Sequence, residues 1–341
     1  MLSRSLKLTG AAVAVCGAFT AAAQGAGGPP PPTATNGHKV QTVASGLGTP
    51  TSFAFHNGTV FEGDGGAFDN NGNLTKPGGV FLLKSGHATR LKGSPAFVAG
   101  LAWRKGTLYV SGLKSFNGVG EILAWSGWNG SQFTTRKVLY KGSKKFTGFN
   151  GIGFGANGRL YANVSLSSTG DHGPPTTPYA YDILSFNSKG KDLRIVAQGI
   201  RQPWQMVFPK GSSSPFVSDL GQDKGAKNPP DFVLRVHQGD DYGFPKCNWT
   251  KKSACKGFAK PFKMFSSHTD VFGLGIIGKT LYLSEGGYQP PLPAQVVSMP
   301  VTGGKPKVLL NGFAGPIVGL GAHAGWVYVG ELTGQVFRVK P

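Results

Sequence analysis

The chain has 341 residues and carries 35 Lys and Arg against 15 Asp and Glu, a formal charge of +20 at neutral pH. Its 54 glycines and 24 prolines exclude a fold of long helices and favour short strands joined by tight turns. The charge draws polyanions, yet no nucleic-acid recognition motif accompanies it. Acidic envelope polymers or acidic sugars are therefore favoured partners over nucleic acid, beside a cationic surface that is simply solvated.

Residues 1–23 hold Arg4 and Lys7, an apolar run from Leu8 to Ala23, and small residues at Ala21-Ala22-Ala23. This is the pattern of a signal peptide and predicts export to a secreted or periplasmic location. No other stretch reaches the roughly 20 apolar residues of a membrane span. Cys16 falls inside the leader, which leaves Cys247 and Cys255, eight residues apart, as one expected local disulfide. Residues 24–37, with Pro29-Pro30-Pro31-Pro32, read as an extended linker that has no face to pack.

From residue 38 to the end a repeat is visible: an apolar strand, a glycine turn, a second strand with aromatic character, then a polar loop. Phe53-Ala54-Phe55, Leu101-Ala102-Trp103, Ile152-Gly153-Phe154, Met206-Val207-Phe208, Leu274-Gly275-Ile276 and Leu320-Gly321-Ala322 open the six units. The starts are 48, 51, 54, 68 and 46 residues apart, and third and fourth strands follow in most units. Four antiparallel strands at this period predict an all-β fold, a six-bladed β-propeller. The last unit lacks its fourth strand, and Lys39–Ala44 at the start of the domain supplies it, closing the ring and removing two open edges. A two-sheet sandwich is the competing fold, without reason for so regular a spacing.

In such a ring the loops entering each innermost strand and leaving each second strand gather at one axial mouth, where a ligand is expected. By that rule Asp171 and His172 follow the second strand of unit three, and Arg201 and Gln202 enter unit four. Asp219 to Asp231 leave its second strand, and His268 enters unit five. His172 beside Asp171 is a candidate catalytic base with an orienting neighbour, or a solvated loop histidine. Arg201 and the carboxylates after it suit an anionic ligand with a hard cation, or equally a salt-bridged loop. Trp204, Tyr242 and Trp249 offer either a sugar-stacking face or blade packing. No local motif of a serine or cysteine nucleophile is present.

Gly199-Ile200-Arg201-Gln202-Pro203-Trp204, then Ser218-Asp219, Pro229-Pro230-Asp231 and Gly239-Asp240-Asp241-Tyr242-Gly243-Phe244-Pro245, resembles the soluble glucose/sorbosone dehydrogenases. The resemblance implies an exported propeller that uses pyrroloquinoline quinone (PQQ) and calcium to oxidise an aldose at its anomeric carbon. It places Arg201 and Gln202 on the quinone, and Gly221, Asp231 and Tyr242 in the calcium loop. The chain also departs from that pattern. Thr147 occupies the position of the family's catalytic histidine, Phe232 that of a glutamate, Gln202 that of an asparagine, and Ser284-Glu285-Gly286 that of basic residues. Two alternatives stand beside oxidation: a non-catalytic propeller that binds a sugar or acidic polymer, and a calcium-dependent lactonase. The latter rests on Phe149-Asn150-Gly151, with Asp171 and Asp219, which resembles the ligand loop of gluconolactonase-like propellers.

Overall fold

The computed structural model describes residues 29–341 apart from 70–71, 116–117, 144–147, 165–177, 223–228 and 289–290. The chain forms the expected six-bladed propeller of mostly antiparallel sheets, with one short 3-10 turn among the described residues, Lys252–Cys255. The innermost strands are Pro50–His56, Phe97–Arg104, Phe149–Phe154, Pro203–Val207, Val271–Ile277 and Ile317–His323. Each is the terminal strand of its sheet and packs against its counterparts in the blades on either side, so the six close a circle.

Local sequence explains the hairpins that carry the chain from innermost to second strand. Asn57-Gly58, Lys105-Gly106 and Ala324-Gly325 each place two successive residues at positive φ. That is the two-residue turn whose twist matches its flanking strands, and glycine takes its second position without strain. Between blades, large side chains interlock. Phe61, Leu108, Trp125 and Phe133 are buried together between blades one and two, each full burial contributing about 1.5–3 kcal/mol. Innermost strands approach closely through glycine: a Cβ on Gly151 would stand 2.6 Å from the Trp204 carbonyl oxygen, and one on Gly319 2.6 Å from that of Pro50.

Closure occurs as the sequence predicts. Gln41–Ala44 pairs antiparallel with Gln335–Val339 and completes blade six. The preceding stretch differs from the expected linker: Thr33–Ala34 pairs with Lys307–Asn311 on the outside of blade five, and Ala34 is buried there. The open edge of an outermost strand gives even a short polar segment backbone partners. Among the described residues no helix is long and apolar enough to cross a membrane.

The axis is divided in two. At the level of the close-approach glycines, Gly100, Gly151, Gly273 and Gly319, blade four has Gln205. Its buried side chain donates from Nε2 to the Thr51 carbonyl of blade one and accepts at Oε1 from the Leu274 amide of blade five at 3.1 Å. It thus bolts the axis between opposite blades. On the entry side of this bolt, Trp204, Phe272 and Val318 pack with Leu220, Trp204 meeting Phe272 edge-on at 5.4 Å. On the other side lies a shaft of about 540 Å³ that runs out to the hairpin turns.

Candidate functional site

The residues singled out in the sequence come together at the entry end of blade four, but not on the axis. Gly199 takes φ +71°, and a Cβ there would lie 2.4 Å from the Gly243 amide nitrogen, so only glycine lets the segment turn under the 239–245 loop. The turn is fixed by the Ile200 amide donating to the Tyr181 carbonyl at 3.0 Å. Arg201 then points back into its own blade. Its Nη1 donates to the carbonyls of Leu220, at 2.9 Å, and Gly221, and to Gln202 Oε1 at 3.2 Å. The guanidinium is 5% exposed and lines a cavity of about 20 Å³ with Asp219, Gln222, Tyr242 and Trp249. Such a space holds about one water.

The carboxylates are equally committed. Asp219 Oδ1 accepts from the Gln202 amide at 2.7 Å. Asp231 Oδ1 accepts from the Gly221 amide at 2.6 Å and its Oδ2 from the Asp270 amide at 2.7 Å, stitching three loops together. Both are buried, and burial is the largest influence on each: it pushes Asp219 up to about 7 and Asp231 up to about 6. Amide donors, the Arg201 charge and, for Asp231, the His268 charge oppose the rise without cancelling it. Asp182 is also raised to about 7, by burial and then by the charge of Asp241. Neutral pH therefore falls within the titration range of three loop carboxylates.

Other expected site residues are placed as follows. Tyr242 belongs to the core with Ile200 and Phe232, its hydroxyl donating to the Arg235 carbonyl at 3.0 Å. Burial raises that phenol above its usual range. Trp204 is packing, 4% exposed, and does not form a sugar-stacking face. Trp249, half-buried, lines the small cavity. Asn150, the lactonase candidate, is buried and donates from Nδ2 to the Pro203 carbonyl at 2.8 Å, so it joins blades three and four. Ser284 Oγ accepts from the Gly273 amide at 2.7 Å inside blade five. Asp171, His172, Thr147 and Asp223 lie outside the described residues.

The fit of a quinone and calcium follows from these bonds. A calcium ion takes six to eight oxygen donors. Here both oxygens of Asp231 bind amides, the Gly221 carbonyl binds Arg201, and Phe232 is a core side chain. Among the described residues no three His, Cys, Asp or Glu side chains are grouped to hold a metal. A triacid quinone needs cations and room, and beside Arg201 there is space for little more than a water. The described residues do not fit either group.

Sequence reasoning missed Gln205 and the shaft beneath it. Aligning the six units would have exposed the bolt, because four of the blades carry glycine and blade one Ser52 at that register.

No family model matches the chain, and no curated protein matches it. Among solved structures, an oxidoreductase described as a glucose dehydrogenase from Thermus thermophilus superposes with a TM-score of 0.69. It has 16% identity and covers 89% of this chain and 100% of its own. A gluconolactonase from Xanthomonas campestris gives a TM-score of 0.52 at 12% identity, over 92% of this chain and 95% of its own. An auxiliary nutrient binding protein from Bacteroides thetaiotaomicron gives 0.54 at 10% identity, over 88% and 75%. At these identities the likeness is one of fold.

Proposed function

We propose that this protein is an exported, carbohydrate-binding propeller built on the plan of the aldose dehydrogenases, one that holds its sugar without oxidising it through a quinone. The observation that carries the reading is the double commitment at blade four. The guanidinium expected on the quinone is bonded to the Leu220 and Gly221 carbonyls, and the carboxylate expected on calcium is bonded to two backbone amides. An interaction already used by the fold must be broken before it can serve a ligand, at about 1–3 kcal/mol for each buried group left unpaired.

The carbohydrate part is supported by the fold. Two of the similar structures are described as acting on glucose or its lactone, and the third as a nutrient binding protein. Export is supported by the leader-like residues 1–23 and by the Cys247–Cys255 disulfide, whose bond is formed. The lactonase reading is less well supported, since Asn150 and Asp219 are buried and each already bonds a backbone group between or within blades.

The test uses the purified mature chain. Dye reduction with a panel of aldoses, in the presence of PQQ and calcium, is expected to stay at the background rate, while calorimetric titration with the same sugars or their acids gives saturable binding. Quinone-dependent turnover that Arg201→Ala abolishes would overturn the non-oxidising reading. Absence of binding to every carbohydrate in the panel would overturn the rest of it.

A further inference from the structure

The shaft on the far side of the Gln205 bolt has the properties of a ligand site that the small cavity beside Arg201 lacks. It is blind at one end, where Gln205 spans from blade four to the Thr51 carbonyl and the Leu274 amide. At about 540 Å³ it falls in the size range of small-molecule cavities. Its walls are the innermost strands of all six blades, each the unpaired edge of its sheet. A sheet edge presents alternating N–H and C=O groups, so the shaft offers both donors and acceptors around its whole circumference. Glycines Gly100, Gly151, Gly275 and Gly321 line it and let the innermost strands of neighbouring blades close up around it. Gln205 already shows how such walls are used, one amide side chain donating to one edge and accepting from another.

The open end is basic. The six hairpins joining innermost to second strands surround it, and each contributes at least one basic side chain: His56, Arg104 with Lys105, Arg159, Lys210, Lys279 and His323. None of the six turns contains an Asp or Glu. Lys105, Lys210 and Lys279 are exposed, while Arg159 is tied to Asp192 in an ion pair of 2.7 Å. Lys210 and His323 line the cavity itself, the imidazole stacked on Phe55 at 4.9 Å. Low-dielectric walls focus the field of such a rim along the axis and raise the local concentration of anions.

We infer that the shaft is the binding site for a polyhydroxylated organic anion of monosaccharide size, a sugar acid, whose hydroxyls bond to the strand edges and whose carboxylate faces Lys210 at the mouth. The inference rests on the carbohydrate-binding reading above and gives it a place and a ligand charge. A neutral sugar would satisfy the edges but not the rim, and a small acid such as acetate the rim but not the edges.

The test titrates the mature chain with D-gluconate, D-glucose and acetate by calorimetry at low ionic strength. Gluconate is expected to bind one to one, at least ten-fold tighter than either control, and to weaken as salt rises. Lys210→Glu, in an exposed turn, is expected to weaken gluconate at least ten-fold and leave glucose unchanged. Ala322→Trp, which narrows the shaft from the blade-six wall, is expected to weaken it similarly, with the unfolding midpoint confirming that the ring is intact. Equal affinity for gluconate and glucose, or gluconate binding indifferent to Lys210→Glu, would overturn the inference while leaving carbohydrate binding standing. Failure of all three probes to bind overturns the inference, and the wider carbohydrate panel then decides the reading beneath it.

Discussion

Replacing Asp219 by Asn is expected to stabilise this protein, and to do so more strongly at pH 8 than at pH 5. Asp219 is 4% exposed, and burial raises its carboxyl from 3.8 to about 7 despite the Gln202 amide and the Arg201 charge. A rise of that size corresponds to roughly 4 kcal/mol of preference for the neutral acid. Part of that preference is already spent between the unfolded value and pH 5, so roughly 2–3 kcal/mol of it develops between pH 5 and pH 8. The asparagine oxygen keeps the 2.7 Å bond from the Gln202 amide, so the substitution removes the ionisation and puts at stake only the weaker backbone bond from Arg201. Urea unfolding followed by tryptophan fluorescence, at pH 5 and pH 8 with the slope held common, measures the difference. The gain is predicted to be roughly 2–3 kcal/mol larger at pH 8 than at pH 5. A loss at pH 8 would refute the reasoning, because it would mean that the carboxylate is ionised and is the counter-ion that Arg201 requires.

Asp182, Asp219 and Asp231 all have folded pKa values above those of an unfolded chain. The folded state therefore holds protons that the unfolded state gives up between about pH 4 and 7, and stability falls as pH rises through that window; a melting temperature equal at pH 5 and pH 8 would contradict this. Gln205→Ala removes one hydrogen bond across the axis and one to the neighbouring blade, and should cost about 1–3 kcal/mol in urea unfolding. Gln205→Glu should cost more, since it sets a carboxylate oxygen against the Thr51 carbonyl; a smaller loss than for alanine would remove the bolt from the account. Cys247→Ser opens a disulfide spanning eight positions. The expected loss is about 2–3 kcal/mol from the freed loop, and a melting temperature unchanged by dithiothreitol in the parent protein would contradict it.

The architecture was legible because it rests on periodicity. The apolar pair in each innermost strand, the glycine turn and the aromatic second strand recur six times, and blade six visibly lacks the strand that Gln41–Ala44 supplies. The cysteine pair was legible for the same local reason. Blade four was legible only as a cluster. Sequence position brings Arg201, Asp219 and Asp231 to one end of one blade, and they do meet there. What it does not carry is direction. Whether a guanidinium faces the axis or folds back onto the Leu220 carbonyl depends on the path of the 219–222 loop, and no residue type announces that path. The bolt was hidden differently: a glutamine after a tryptophan is ordinary, and only its register against four glycines gives it meaning. Thr33–Ala34 escapes a reading by pattern because a two-residue strand needs no apolar alternation, merely an edge to join.

The most direct measurement is an equilibrium titration of the mature chain with PQQ in excess calcium, followed by quinone absorbance and by the shift in unfolding temperature. With Arg201 and Asp231 bonded into blade four, the account predicts no saturable spectral change and no stabilisation. Stoichiometric binding that raises the unfolding temperature and disappears in Arg201→Ala would contradict it.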